Sequence, residues 1–203
     1  MSKKMYAALL PVIAVAAMAM TATAAQAAPH WYSEGTKLGE NKPLEVSTFG
    51  KLTLTDSTAG LSVKCNVLDE GTITNPVEGA AGTDEITVFE NHKCVATPAC
   101  TSGVTITAEK LPWKTVLSEP VAGTFRDTVK GIQIKLVCTS SSISEVFTGE
   151  LTPKFSTGAR DSFFEFGAGS GELSSVNLGK ASVAGKDFVA GTANDELIAV
   201  KNP

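Results

Sequence analysis

Four cysteines, two histidines and a scatter of carboxylates are the side chains with chemistry to offer in this sequence of 203 residues. Nucleophilic catalysis needs a serine or cysteine within reach of a base. Serines are plentiful, but the Gly-Ala-Gly-Ser-Gly run at 167–171 lacks the G-x-S-x-G spacing of a nucleophile elbow and reads as a flexible turn. His30 falls close to the N-terminus of the exported chain predicted below, and His92 falls two residues before Cys94. Neither has a partner in the sequence that would make it a base or a ligand. Glu165 or Glu172 with Asp161 could serve glycoside hydrolysis, provided the two acids face one groove at about 5–5.5 or 6.5–9.5 Å. The acidic pairs Asp69-Glu70 and Asp84-Glu85, read as turns, offer oxygen ligands to Ca²⁺ but lack the D-x-D-x-D-G spacing of a calcium loop. No catalytic residue, metal or cofactor is therefore assigned.

The aromatic residues bear on binding. Trp113, within Leu111-Pro112-Trp113-Lys114-Thr115, reads as a core anchor, since a lone tryptophan on a strand is usually buried. His30-Trp31-Tyr32 reads differently. Neighbouring residues on a strand point to opposite faces, so one aromatic packs inward while the other can meet a sugar or a protein. Trp31 and Tyr32 are the candidate ligand-facing residues.

The elements that position these groups are strands. Leu61-Ser62-Val63-Lys64-Cys65-Asn66-Val67 and Ile132-Gln133-Ile134-Lys135-Leu136-Val137-Cys138 both alternate apolar with polar residues, the period of a half-buried strand. Cys65 and Cys138 fall on the apolar faces. That placement predicts a Cys65–Cys138 bridge across a core, as sandwich domains are pinned, and leaves Cys94 with Cys100 to close a short loop turned by Pro98. A zinc site is the rival use of the cysteines, but there is no C-x-x-C spacing and there are only two histidines. Further strands are predicted at 44–48, 51–55, 85–90, 103–108, 113–118, 125–129, 145–151, 162–167, 181–184 and 196–201, with Gly, Pro, Asn or Asp breaks between most of them. The expected fold is all-β, an antiparallel β-sandwich with a closed β-barrel as the alternative, stapled by disulfides. A weak echo between residues 77–86 and 189–198 reads as two similar hairpin turns, not a duplicated domain.

Export supplies the redox context. Lys3 and Lys4, an apolar run over residues 5–20 and the small residues ending Ala25-Gln26-Ala27 form the three parts of a cleavable secretory signal. The run holds about 16 residues, includes Pro11, and is shorter than the roughly 20 a spanning helix needs. Residues 1–27 are thus read as the signal peptide and 28–203 as a single exported β domain, with no membrane span in the mature chain. A lipid anchor would need a cysteine just after the signal, and the first is Cys65. The expected destination is secreted or extracytoplasmic, without a lipid anchor. There four cysteines, an even number, form disulfides. Loss of residues 1–27 removes two lysines and no acid, leaving 15 basic against 21 acidic side chains. Nucleic-acid binding wants a basic stripe, and none is present. With only two Trp and two Tyr, the chain also lacks the aromatic girdles of an outer-membrane barrel.

Several of these residues together carry a likeness: His30-Trp31-Tyr32 with Gly35 and Lys37-Leu38, the Cys65 strand, Gly71-Thr72-Ile73-Thr74-Asn75-Pro76, the loop from Cys94 to Cys100, Ala108-Glu109-Lys110-Leu111-Pro112-Trp113, and the Gly-rich end. The chain resembles small secreted proteins of high-GC Gram-positive soil bacteria, a group with no assigned activity. The resemblance implies a bacterial, extracytoplasmic β-protein and carries over no functional residue. The expectation drawn first is a non-enzymatic exported binding or cell-envelope module, its partner a cell-wall glycan or a protein. A secreted polysaccharide hydrolase using paired carboxylates, and a self-assembling surface or spore-coat protein, are the alternatives.

Overall fold

A computed structural model describes residues 27–96 and 99–203; the expected signal peptide and the Pro98 turn lie outside the described residues. Fourteen strands dominate it: β1 His30–Ser33, β2 Thr36–Lys37, β3 Leu44–Asp56, β4 Leu61–Thr74, β5 Thr83–Ala96, β6 Val104–Glu109, β7 Trp113–Val121, β8 Thr124–Cys138, β9 Ile143–Leu151, β10 Lys154–Thr157, β11 Ser162–Phe166, β12 Glu172–Ser175, β13 Gly179–Gly191 and β14 Ile198–Lys201. The only helix among the described residues is two short 3₁₀ turns, Val77–Gly79 and Thr139–Ser141. No described helix is long and apolar enough to cross a membrane.

Alternation closes these strands into a barrel. In β4, Leu61, Val63, Cys65 and Val67 are buried while Lys64 is exposed and Ser62 and Asn66 are only partly covered, so one face of each strand must be enclosed. The antiparallel pairings run β3–β4–β5–β7–β8–β9–β12–β13 and return to β3, an eight-stranded circuit. β10 and β11 make a second bridge between β8 and β13 towards the opposite end of those strands. The all-β expectation holds, and of its two forms the closed barrel is the one found. β6 lies beside the C-terminal half of β8, from Val104 opposite Cys138 to Glu109 opposite Gln133. No ladder joins β6 to β5, so a seam in the wall runs between them, crossed by Asn91 Nδ2 donating to Ile106 O at 3.4 Å.

The cysteine pairing corrects the sequence reading. Cys65 bonds Cys94, and Cys100 bonds Cys138. Cys65 and Cys138, which alternation places on the apolar faces, are indeed buried. In a sandwich an inward cysteine looks across to the other sheet. In a barrel wall its near neighbours are on the adjoining strands, and Cys94 on β5 adjoins β4 at the bulge between Lys64 and Asn66. Cys100, in the chain leading into β6, reaches the end of β8 because Val104 is paired there.

One end of the barrel is plugged. β1 pairs with β14 and β2 as a small separate sheet, and its Trp31 is wholly buried among Val46, Ile73, Leu117, Phe155, Phe164, Val189, Ile198 and Val200. Trp31 Nε1 donates to Thr83 O at 3.1 Å, and its ring meets Phe155 edge-on at 5.4 Å. Asn75, also buried, accepts from Trp31 N and donates to Trp31 O and Leu38 O, tying the plug to the wall. Trp113 anchors the other half of the core beside Phe89, its Nε1 donating to Glu109 O.

Candidate functional site

Three phenylalanines share one row on the outside of the barrel. Phe163 on β11 is directly opposite Phe188 on β13, and Phe188 is directly opposite Phe49 on β3. Each sits in the outward phase of its strand, between residues that face in: Thr48 and Gly50 flank Phe49, and buried Asp187 and Val189 flank Phe188. Phe49 is 59% exposed, an unusual state for so large an apolar ring outside a contact surface. The Phe49 and Phe188 rings stack at 5.8 Å, and Phe163 and Phe188 lie at the same separation. Lys186 crosses this row, its Nζ 4.1 Å from the Phe163 ring centroid and 3.5 Å from Glu165 Oε1. A shallow groove of ≈ 530 Å³ runs along one side of the Phe49–Phe188 ridge, lined also by Lys51, Asn66 and Lys186. A second groove of ≈ 310 Å³ runs along the other side, where Arg160, Asp161, Asp195 and Glu196 supply the polar lining.

The inside of the barrel holds a different cluster, built twice on the same plan. Thr48 on β3 is directly opposite Asp69 on β4 and opposite Val189, two residues beyond Asp187, on β13. Thr115 on β7 is directly opposite Asp84 on β5 and opposite Val129, two residues beyond Asp127, on β8. Each threonine thus sits between two inward aspartates from its flanking strands. The Thr48 hydroxyl lies 2.7 Å from Asp187 Oδ2 and 3.3 Å from Asp69 Oδ2. Asp69 is set beside Asp187, and Asp84 beside Asp127, and two buried carboxyls so placed cannot both ionise cheaply. Burial, then the neighbouring aspartate, holds Asp69 and Asp84 well above the usual carboxylate range. Burial pushes Asp187 up to about 6 and Asp127 up to about 7, against hydrogen bonds that favour their ionised forms. All four aspartates line one interior cavity of ≈ 50 Å³ with apolar walls, and each keeps one buried oxygen without a hydrogen-bond partner. An apolar cavity of ≈ 80 Å³ adjoins it, sharing Asp69, Ile86, Val129 and Phe166.

The two candidate aromatics part company. Trp31 is the inward one, and its burial removes it from any ligand, because the plug needs a large apolar group there. Tyr32 is on the outer side and half-buried, with Lys201 Nζ 5.2 Å from its ring centroid. His30 is buried, and burial followed by the charge of Lys37 disfavours its protonated form. His92 is exposed beside Glu90, at 3.2 Å. Glu165 and Glu172 pair with Lys186 and Lys180, and neither lines the groove that holds Asp161, so neither faces Asp161 across it. Asp69 and Asp84, read as turn residues, lie in strands and face the interior. Among the described residues no three His, Cys, Asp or Glu side chains converge as a metal-binding set.

Fold and sites together define a disulfide-stapled, plugged antiparallel β-barrel with an aromatic outer row and paired carboxyls within. Compared with known proteins, the chain matches no family model, no curated protein and no solved structure. The two disulfides are those of an oxidising, extracytoplasmic environment.

Proposed function

We propose that this chain is an exported, non-enzymatic β-barrel module that holds a cell-envelope glycan on its outer aromatic row. The observation that carries this reading is the in-register line of Phe163, Phe188 and Phe49 on the solvent side of three neighbouring strands. A pyranose ring presents one face of C–H bonds, and an aromatic face is the apolar surface that complements it. Successive rings on a rigid wall offer successive sugars a platform without ordering any loop, which keeps the entropic cost of binding low. The signal sequence and the resemblance to secreted bacterial proteins support export into the compartment where such polymers are found.

Hydrolysis has less behind it. The paired carboxyls lie inside the barrel beside ≈ 50 Å³ of space, far below the ~300 Å³ at which ligand pockets begin. Strand-to-strand assembly has little to build on in the small end sheet, where the edges β2 and β14 are two and four residues long.

The test is a glycan and cell-wall binding screen of the mature protein beside the double variant Phe49→Ala, Phe188→Ala. Retention of the parent on envelope polysaccharide is expected, with loss in the variant at unchanged thermal unfolding. Retention that survives both substitutions, or no retention by the parent, would overturn the reading.

A further inference from the structure

We infer that the aromatic row selects a carboxylate-bearing polysaccharide, a polyuronate, through the lysines on one side of it; this inference rests on the glycan reading above. Lys51 and Lys186 are directly opposite each other on β3 and β13, both facing out. Like charges in that position work against the sheet, and they recur in a chain whose acids outnumber its bases. Asn66 on β4 is directly opposite Lys51 and extends the same line. Lys64, two residues before Asn66, is exposed and adds a third ammonium to this face of the wall. Lys186 is partly neutralised by Glu165, whereas Lys51 makes no salt bridge among the described residues.

The charge lies at a useful distance from the rings. Lys51 and Phe49 are two residues apart on one face, about 6.6 Å along the strand. A uronate carries its carboxylate directly on the ring, so a sugar stacked on Phe49 or Phe188 brings its charge within reach of either ammonium. The groove on this side is lined by lysines and an amide and by no carboxylate. Its counterpart across the ridge contains Asp161, Asp195 and Glu196 against a single cation, Arg160. An anionic chain is thus directed to the lysine side and repelled from the other.

Polygalacturonate and its methyl ester present the same sugars with and without charge, and both are to be titrated with the mature protein at low and high salt. The parent is expected to prefer polygalacturonate by about tenfold, a preference that shrinks with added salt as screening removes it. Lys51→Gln should erase the preference while retaining binding to the ester, and Phe49→Ala with Phe188→Ala should abolish binding to both. Equal binding of the two polymers, lost with the phenylalanines, would overturn the charge inference and leave the glycan reading standing. Binding to polygalacturonate that ignores the phenylalanines would sink the glycan reading itself, and binding to neither polymer would overturn the inference. A phosphodiester-linked wall polymer preferred over polygalacturonate would refute the commitment to carboxylate. Sedimentation of the parent as a dimer that Phe49→Ala dissociates would give the row to a second copy of the chain.

Discussion

An aspartate taken out of water keeps its proton unless something repays the charge, and two aspartates in contact cannot both ionise cheaply. The Asp–Thr–Asp sets meet this constraint by retaining protons to higher pH, with the hydroxyl of Thr48 directed at Asp187. The consequence is a stability that depends on pH in the less common direction. Below about pH 4 the unfolded aspartates are protonated too, so folding costs no proton uptake. As pH rises the unfolded chain releases its protons while the native pairs retain theirs, and stability falls through the native values of about 6 for Asp187 and about 7 for Asp127. Denaturant unfolding of the mature protein should therefore show its greatest stability in acid and a decline between pH 4 and 7. Asp127→Asn with Asp187→Asn should lessen the decline without abolishing it, because burial still raises Asp69 and Asp84. A parent profile that rises with pH over this range would contradict proton retention. Two of these residues explain what the sequence concealed. Asp69 and Asp187 occupy inward positions where alternation calls for an apolar side chain, so the predicted strands stop short of them at 67 and 184, whereas Asp127 falls inside the predicted strand 125–129. The row of Phe163, Phe188 and Phe49 was hidden for the opposite reason, since each ring stands where a polar residue was expected.

At the scale of elements, β3 shows how a strand can be read as two. Glycine at position 50 looks like a break, yet β3 runs through it, because a Cβ there would fall 2.1 Å from Lys186 O and 2.8 Å from Asp187 Oδ1. The missing side chain lets β3 and β13 approach while leaving room for the carboxyl. The four-residue strand β1 is legible only in the opposite facing of its adjacent aromatics, because so short a segment has little periodicity to display. Its place is fixed by tertiary contacts of Trp31 and Asn75, which no local pattern encodes. The plug assignment makes the two adjacent aromatics unequal. Trp31→Ala should cost about 3–5 kcal/mol, the usual range for emptying a buried aromatic site. Tyr32→Ala should cost well under half of that, since its ring is half-exposed. Urea midpoints of the two variants at one pH measure the contrast, and similar small losses for both would remove Trp31 from the plug.

Closure of the whole molecule rests on pairings between segments far apart in the chain, above all β13 with β3, and sequence alternation is the same whether strands form two sheets or one ring. That is why the all-β class was legible while sandwich and barrel stood as alternatives, and why the inward cysteines were matched to the wrong partners. The observed bridges lie on either side of the β5–β6 seam, where no ladder joins the two strands among the described residues. Cys65–Cys94 ties β5 back to β4, and Cys100–Cys138 ties the approach to β6 onto β8. They span 29 and 38 residues, and loop-closure entropy gives each about 3–4 kcal/mol. Since a domain's whole stability is about 5–15 kcal/mol, loss of both should leave the barrel marginal at room temperature. Their individual effects should differ in place. Cys100→Ala with Cys138→Ala frees the approach to β6, whose ladder is to β8 alone, so amide exchange should accelerate across β6 while β3 and β13 stay protected. Cys65→Ala with Cys94→Ala leaves β4 and β5 held by their long ladder, so its loss should appear as lower global stability without a local opening at β6. Equal acceleration over the whole barrel in the first variant would show that the seam opens only with global unfolding, and that the Cys100–Cys138 bridge acts on the unfolded chain alone.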